Sequence, residues 1–98
     1  VISVIRSAAQ ALAADGIRVN AVCPGVVDTP MTDTIHDYNA QELQISREES
    51  LARMVASIPL GRIETGDDVA RAVEFLLSEQ AGYVTGQALN VCGGLEFD

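Results

Sequence analysis

The run Ile17-Arg18-Val19-Asn20-Ala21-Val22-Cys23-Pro24-Gly25-Val26-Val27-Asp28-Thr29-Pro30-Met31 constrains this chain most. Ile17, Val19, Ala21 and Cys23 alternate with Arg18, Asn20 and Val22. The mix is β-branched and mostly apolar, so a strand covered on both faces is predicted over residues 17–23. It breaks abruptly at Pro24-Gly25 into small and polar residues. In an open parallel α/β sheet, ligands sit just beyond the carboxyl ends of strands. The residues alone leave this turn as either a plain strand ending or one wall of such a site.

Upstream, Ile2, Ile5, Ala9 and Leu12 recur at helical spacing, and Ala8, Ala11, Ala13 and Ala14 raise the propensity. Gly16 is suited to the left-handed position that ends a helix. Helix, short turn and buried strand make half of a βαβ crossover. Residues 28–46 lack a steady period and read as a surface excursion with room for a short helix. Ser46-Arg47-Glu48-Glu49 has the form of a capping box. Leu51, Met54, Val55 and Ile58 then predict an amphipathic helix that stops at Pro59. Thr65-Gly66-Asp67-Asp68 places a cap and two acids at a further helix start. Val69, Ala72, Val73, Leu76 and Leu77 are its apolar stripe, and Gly82 is its expected break. Ala88-Leu89-Asn90-Val91 reads as a second strand, closed by Cys92-Gly93-Gly94.

A chain of 98 residues is at most one small domain. Its 48% hydrophobic content is high for so short a chain, because small domains bury a smaller share of their surface. Membership in a larger core is the expectation, with residue 1 an internal position of a longer polypeptide. Arg6 and Gln10 interrupt the apolar start too soon for a signal peptide. No run approaches the ~20 apolar residues of a membrane span. The net charge is −8 and every cation is arginine, which argues against a nucleic-acid groove. Cys23 and Cys92 read as buried reduced thiols in a cytoplasmic protein. A single histidine, His36, and no paired cysteines leave no metal set. His36 itself reads as a solvent-facing loop residue, and Asn20 as a satisfied strand residue.

Five pieces in order resemble the C-terminal part of the short-chain dehydrogenase/reductase family. They are Gly16-Ile17-Arg18-Val19-Asn20-Ala21-Val22-Cys23-Pro24-Gly25, then Thr29, then Pro59-Leu60-Gly61-Arg62, Asp67-Asp68-Val69-Ala70, and Val84-Thr85-Gly86-Gln87-Ala88-Leu89-Asn90-Val91. The resemblance implies the C-terminal part of a doubly wound parallel-sheet, Rossmann-type α/β domain. Two strands and about three to four helices would fall in this segment, with residues 1–98 one portion of a single NAD(P)-binding domain. Residues 17–23 and 87–91 would be the family's sixth and seventh strands. Residues 1–15 would be most of the helix that follows its Tyr-x-x-x-Lys. That motif, the family's Ser and its glycine-rich phosphate turn do not occur in this chain, which has no lysine. The implied function is an NAD(P)-dependent interconversion of an alcohol and a carbonyl on a small substrate, with NAD or NADP as cofactor. By the same resemblance no catalytic residue lies in this segment, which alone should be inactive. A truncated, non-catalytic domain that binds a cofactor or partner is the alternative.

The resemblance also assigns positions. Pro24, Gly25, Val27 and Thr29 would bind cofactor, with the Val27 backbone on the carboxamide and the Thr29 hydroxyl on the carboxamide or a phosphate. Thr29 as a local cap is the other reading. Apart from the resemblance, the aperiodic polar sequence after the strand end leads us to expect a substrate lid at about residues 28–58. In it Met31, Ile35 and Tyr38 would either line the substrate side or pack the lid shut. Val26-Val27-Asp28-Thr29-Pro30-Met31 is similar to members acting on polyols, ketoses or diols. The family usually carries Asp at the position of Cys92, near a subunit interface. A cytoplasmic homotetramer or homodimer, with no nucleic-acid or membrane partner, completes the expectation.

Overall fold

The computed structural model describes residues 1–28 and 30–96. Its centre is a parallel pair of short strands, β1 (Ala21–Pro24) and β2 (Ala88–Val91). Ala21 faces Ala88, Val22 faces Leu89, Cys23 faces Asn90 and Pro24 faces Val91. Three helices separate the strands in sequence: α2 (Pro30–Glu42), α3 (Arg47–Ala56) and α4 (Gly66–Leu77). With α1 (Ile2–Leu12) ahead of β1, the order is α-β-α-α-α-β. Parallel strands need such a crossover, because a tight hairpin can join only antiparallel ones.

The α1 helix follows its expected stripe: Ala9 is buried, and Ile5 and Leu12 are half-buried, while Ile2 is exposed. A 3-10 turn at Ala13–Asp15 continues it, and Gly16 closes it at φ 75° with its N–H on the Ala13 carbonyl. The first strand begins four residues later than the pattern predicts. Residues 17–20 do run beside residues 84–87, but side chains replace part of the ladder. The Val19 N–H donates to Thr85 Oγ1 at 3.0 Å, and the Asn20 Oδ1 accepts from the Gln87 N–H at 3.0 Å. Asn20 Nδ2 donates to the Val84 carbonyl. Gly86, at φ 72°, bends the opposing chain away from extended geometry. Asn20 is thus the satisfied structural residue expected of it.

The α4 helix packs on both strands and buries Leu76. Thr65 and Asp68 form a full capping box at its start. It ends at Leu77, five residues ahead of Gly82, the expected break. Ser78 leaves the helix in an extended conformation, and there the Arg18 guanidinium donates to the carbonyls of Leu76, Ser78 and Val84 at 2.7, 3.2 and 3.3 Å. A cation that takes the last carbonyls stabilises a helix end.

Residues 28–46 are more ordered than their lack of period suggests: α2 has 13 residues. Pro30 sits at its first position, where proline loses no helical bond. The α2 and α3 helices pack against each other as a hairpin. Arg47 bridges Asp33 and Asp37 across it, and Ser46 caps α3 by accepting the Glu49 N–H at 3.0 Å.

Among the described residues the buried apolar set is Ala9, Ile58, Leu76 and Ala81. Leu77 and Tyr83 are largely exposed. The radius of gyration is 17.1 Å, above the roughly 13 Å of a compact domain of about 100 residues. Much apolar surface therefore stays uncovered, as the composition leads one to expect.

Candidate functional site

The chain leaves β1 at Pro24, which is exposed and pairs with Val91. At Gly25 it turns across the carboxyl end of β2, its N–H donating to the Val91 carbonyl at 3.0 Å. The same N–H donates to Glu64 Oε1 at 2.9 Å. Two backbone bonds continue the attachment: the Glu64 N–H donates to the Val26 carbonyl, and the Asp28 N–H donates to the Glu64 carbonyl. Val27 and Glu64 form an isolated parallel bridge. Loop 25–28 is thereby tied to residue 64 by a single parallel bridge.

Beyond this loop lies a cavity of about 630 Å3, lined by Gly25, Val26, Val27, Pro30, Met31, Ile35 and Met54. Four expected site residues meet there: Gly25 and Val27 from the loop, Met31 and Ile35 from α2. The walls are apolar and the trough is open, with Met31 74% exposed. Tyr38 lies farther along α2, is exposed, and is not in the lining. Thr29 lies outside the described residues.

Gly25 has a structural reason of its own. A Cβ there would meet the Cβ of Cys92 at 2.9 Å. Cys92 therefore acts as packing under the turn, while its Sγ accepts the Glu96 N–H. Both thiols are free and half-buried.

The far side of the loop faces a smaller cavity of about 200 Å3, lined in part by Val26, Leu60, Arg62, Glu64 and Cys92. Arg62 forms a two-pronged pair with Asp68 at 2.7 and 3.0 Å. That guanidinium, followed by the Thr65 backbone N–H, holds the Asp68 carboxyl well below the usual carboxylate range. The bond to Asp68 raises the Arg62 pKa in return.

His36 is not the exposed loop residue that the sequence suggests. It lies on α2, is buried, and its Nδ1 is 2.7 Å from Ser50 Oγ. Asn39 Nδ2 donates to the same hydroxyl at 3.1 Å. These three side chains tie α2 to α3. The sequence does not point to Glu64, which falls between the helix stop at Pro59 and the cap at Thr65 and belongs to no motif. The one signal for it is a lone carboxylate between Ile63 and a helix cap, where an apolar residue would serve a buried position. Among the described residues no three His, Cys, Asp or Glu side chains converge, and no helix is long and apolar enough to cross a membrane.

This geometry has close counterparts. A Streptomyces violaceoruber protein, named for ketoacyl reduction in the granaticin polyketide synthase, is 45% identical over 97% of this chain and 35% of its own length. The Staphylococcus aureus diacetyl reductase, (S)-acetoin forming, is 40% identical over 92% of this chain and 35% of its own. A crystal structure of an actinorhodin polyketide ketoreductase variant with NADPH superposes with a TM-score of 0.86 at 41% identity. It is matched over 96% of this chain and 36% of that one. The chain thus spans about a third of the length of these relatives. A family model described as enoyl-(acyl carrier protein) reductase matches residues 1–96. Because that match runs unbroken through both strands, the Pro-Gly loop and all four helices, the chain belongs to the short-chain dehydrogenase/reductase family, with the Rossmann-type fold of its relatives.

Proposed function

We propose that the full-length protein is an NAD(P)-dependent oxidoreductase that interconverts an alcohol and a carbonyl on a small substrate. This chain would supply the nicotinamide and substrate side of the pocket, as the C-terminal portion of one NAD(P)-binding domain. The observation that carries this reading is the 630 Å3 trough between loop 25–28 and the α2–α3 hairpin. Its size falls within the roughly 300–1,000 Å3 of ligand pockets. Its place, beyond the carboxyl ends of two parallel strands, is where such folds bind ligands. The apolar walls of Val26, Val27, Pro30, Met31, Ile35 and Met54 fit a flat, weakly polar ring.

Bound nicotinamide would supply or accept the hydride. Loop 25–28 would seat the ring, with the Val27 backbone and the Thr29 hydroxyl directed to its polar groups and Pro24-Gly25 shaping the turn. Residues 28–58 would act as a lid, using Met31 and Ile35 to hold the substrate and exclude water. Proton donation to the forming alcohol needs a positioned acid. A Tyr-x-x-x-Lys motif needs a lysine, and this chain has none; in this reading the acid would come from another part of the full-length protein. The ketoacyl and diacetyl relatives support a small carbonyl substrate, and the NADPH bound to the actinorhodin enzyme supports a nicotinamide cofactor. A cytoplasmic homodimer or homotetramer belongs to the same reading.

The test is to titrate the full-length protein with NADH and NADPH by fluorescence, then assay oxidation of the bound form with diketones and ketoacyl thioesters. Binding of one cofactor and turnover of at least one carbonyl are expected. Binding without turnover would favour the non-catalytic alternative, which the absence of a Tyr-x-x-x-Lys from this chain recommends as second choice. No binding of either cofactor would remove the proposal.

A further inference from the structure

Glu64 is 8% exposed, and its Oε2 is enclosed with no hydrogen-bond partner among the described residues. A buried carboxylate oxygen in that state opposes folding. The cavity beside it is lined by Val26, Ile58, Leu60 and Val91 together with the Arg62–Asp68 pair; the Arg62 charge attracts Glu64 but gives Oε2 no hydrogen bond. Breaches of local rules of this kind concentrate at functional sites.

The other oxygen shows what is gained. Glu64 Oε1 accepts the Gly25 N–H at 2.9 Å, although that N–H already has the Val91 carbonyl at 3.0 Å. Burial of the Gly25 amide therefore does not require Glu64. What the second acceptor adds is direction: the turn is drawn toward residue 64 as well as toward β2. The Glu64 backbone then holds both the Val26 carbonyl and the Asp28 N–H. One residue thus makes three bonds to the four-residue loop that walls the trough.

We propose that Glu64 is a positioning residue, which fixes loop 25–28 in the geometry that receives the nicotinamide. The inference rests on the function proposed above. It acts through the loop and touches neither cofactor nor substrate.

The test uses the full-length protein with Glu64→Met, which keeps length and removes the acceptor, and Glu64→Gln, which keeps an acceptor. Glu64→Leu is a second apolar variant, should Glu64→Met fail to fold. Amide exchange is followed in the cofactor-free protein at Asp28 and at residue 64, since Gly25 retains Val91. The apolar variant should exchange there on the order of tenfold faster. Its cofactor Kd and cofactor KM should rise roughly three- to tenfold, as the loss of one hydrogen bond implies. Substrate KM should stay unchanged, and Glu64→Gln should restore both readouts. Unchanged exchange or cofactor affinity in Glu64→Met would overturn the inference. So would a Glu64→Gln variant as impaired as Glu64→Met, or two apolar variants that fail to fold beside a native-like Glu64→Gln. If the unaltered protein binds neither cofactor, the proposed function falls and takes this inference with it. Normal binding with an unaffected apolar variant removes the inference alone.

Discussion

Gly25 and Cys92 stack so closely that a Cβ added at Gly25 would lie 2.9 Å from Cys92 Cβ and 3.0 Å from its Cα. Two turns, one after each parallel strand, meet at that contact. It explains why the first turn needs glycine at a position whose φ is not left-handed: the constraint is space.

Gly25→Ala should therefore displace loop 25–28 from the sheet end. Overpacking of this kind costs about 1–3 kcal/mol. Cys92→Gly in the same protein should recover part of the loss, since it removes the 2.9 Å partner and leaves the 3.0 Å one. Cys92→Ala should recover none, because the Cβ stays. Thermal melts of the single and double variants check this, and equal rescue by both second-site changes would refute the contact as the cause.

Arg18 caps the C-terminal end of α4 from 58 residues away. Arg18→Ala strips charged donors from the Leu76, Ser78 and Val84 carbonyls. A charge-assisted bond contributes about 1.5–3 kcal/mol, so a loss of at least ~2 kcal/mol is expected by denaturant unfolding. Arg18→Lys should recover only a minor part, because an ammonium lacks the planar fork. An alanine variant as stable as the parent would show the cap to be idle.

Ser50 links His36 and Asn39 across the α2–α3 hairpin. Ser50→Ala would leave both partners without that hydroxyl in a buried setting, at a cost of about 1–3 kcal/mol. The loss should be local. Amide exchange should quicken over residues 30–56 and stay unchanged in α4. Uniform quickening throughout would mean that the hairpin is no separate unit.

Much of this architecture is legible in the sequence, and the rest fails for one reason. Ile5, Ala9 and Leu12 announce α1, Gly16 its end, Ser46 and Thr65 the caps of α3 and α4. All are signals within a turn or two of chain. The same holds for Ala88 to Val91 as a strand and for Pro24-Gly25 as the turn that ends β1. What escaped was set by partners far away in sequence. Arg18 caps a helix 58 residues on. Glu64 reaches back 39 residues to Gly25. Asn20 and Thr85 replace a backbone ladder with side chains. His36 is buried because Ser50, on the next helix, takes its Nδ1. Local periodicity carries none of these pairings.

The Arg62–Asp68 pair sets an acid limb on stability. Its sign follows from the depressed Asp68 carboxyl. The contribution is fully present above the ordinary carboxylate value, about 3.9, and is lost as pH falls from there toward the lower folded value. This pair should leave the melting temperature level between pH 7 and 5 and lower it below about 4. Asp68→Asn should melt lower at pH 7 and fall less steeply in acid. Added salt should shrink the difference, because the pair is partly exposed. Identical acid limbs in parent and variant would exclude Asp68 as their source.

Ile35 and Tyr38 separate the two meanings that a lid residue can have. Both sit on α2, but Ile35 lines the trough and Tyr38 stands 64% exposed outside it. Ile35 is itself 43% exposed, so a substrate bound as proposed would have apolar surface left to cover there. Full burial of such a side chain contributes about 1.5–3 kcal/mol. Covering the remainder is then worth ~1 kcal/mol, or roughly fivefold in affinity. Ile35→Ala should raise substrate KM by about that factor while the melting temperature moves little, since the side chain is far from fully packed. Tyr38→Ala should change neither quantity. The opposite pattern would assign these side chains to holding the lid shut: a lower melting temperature with KM unchanged for Ile35→Ala. A KM that responds to Tyr38 and not to Ile35 would move the substrate off this trough altogether.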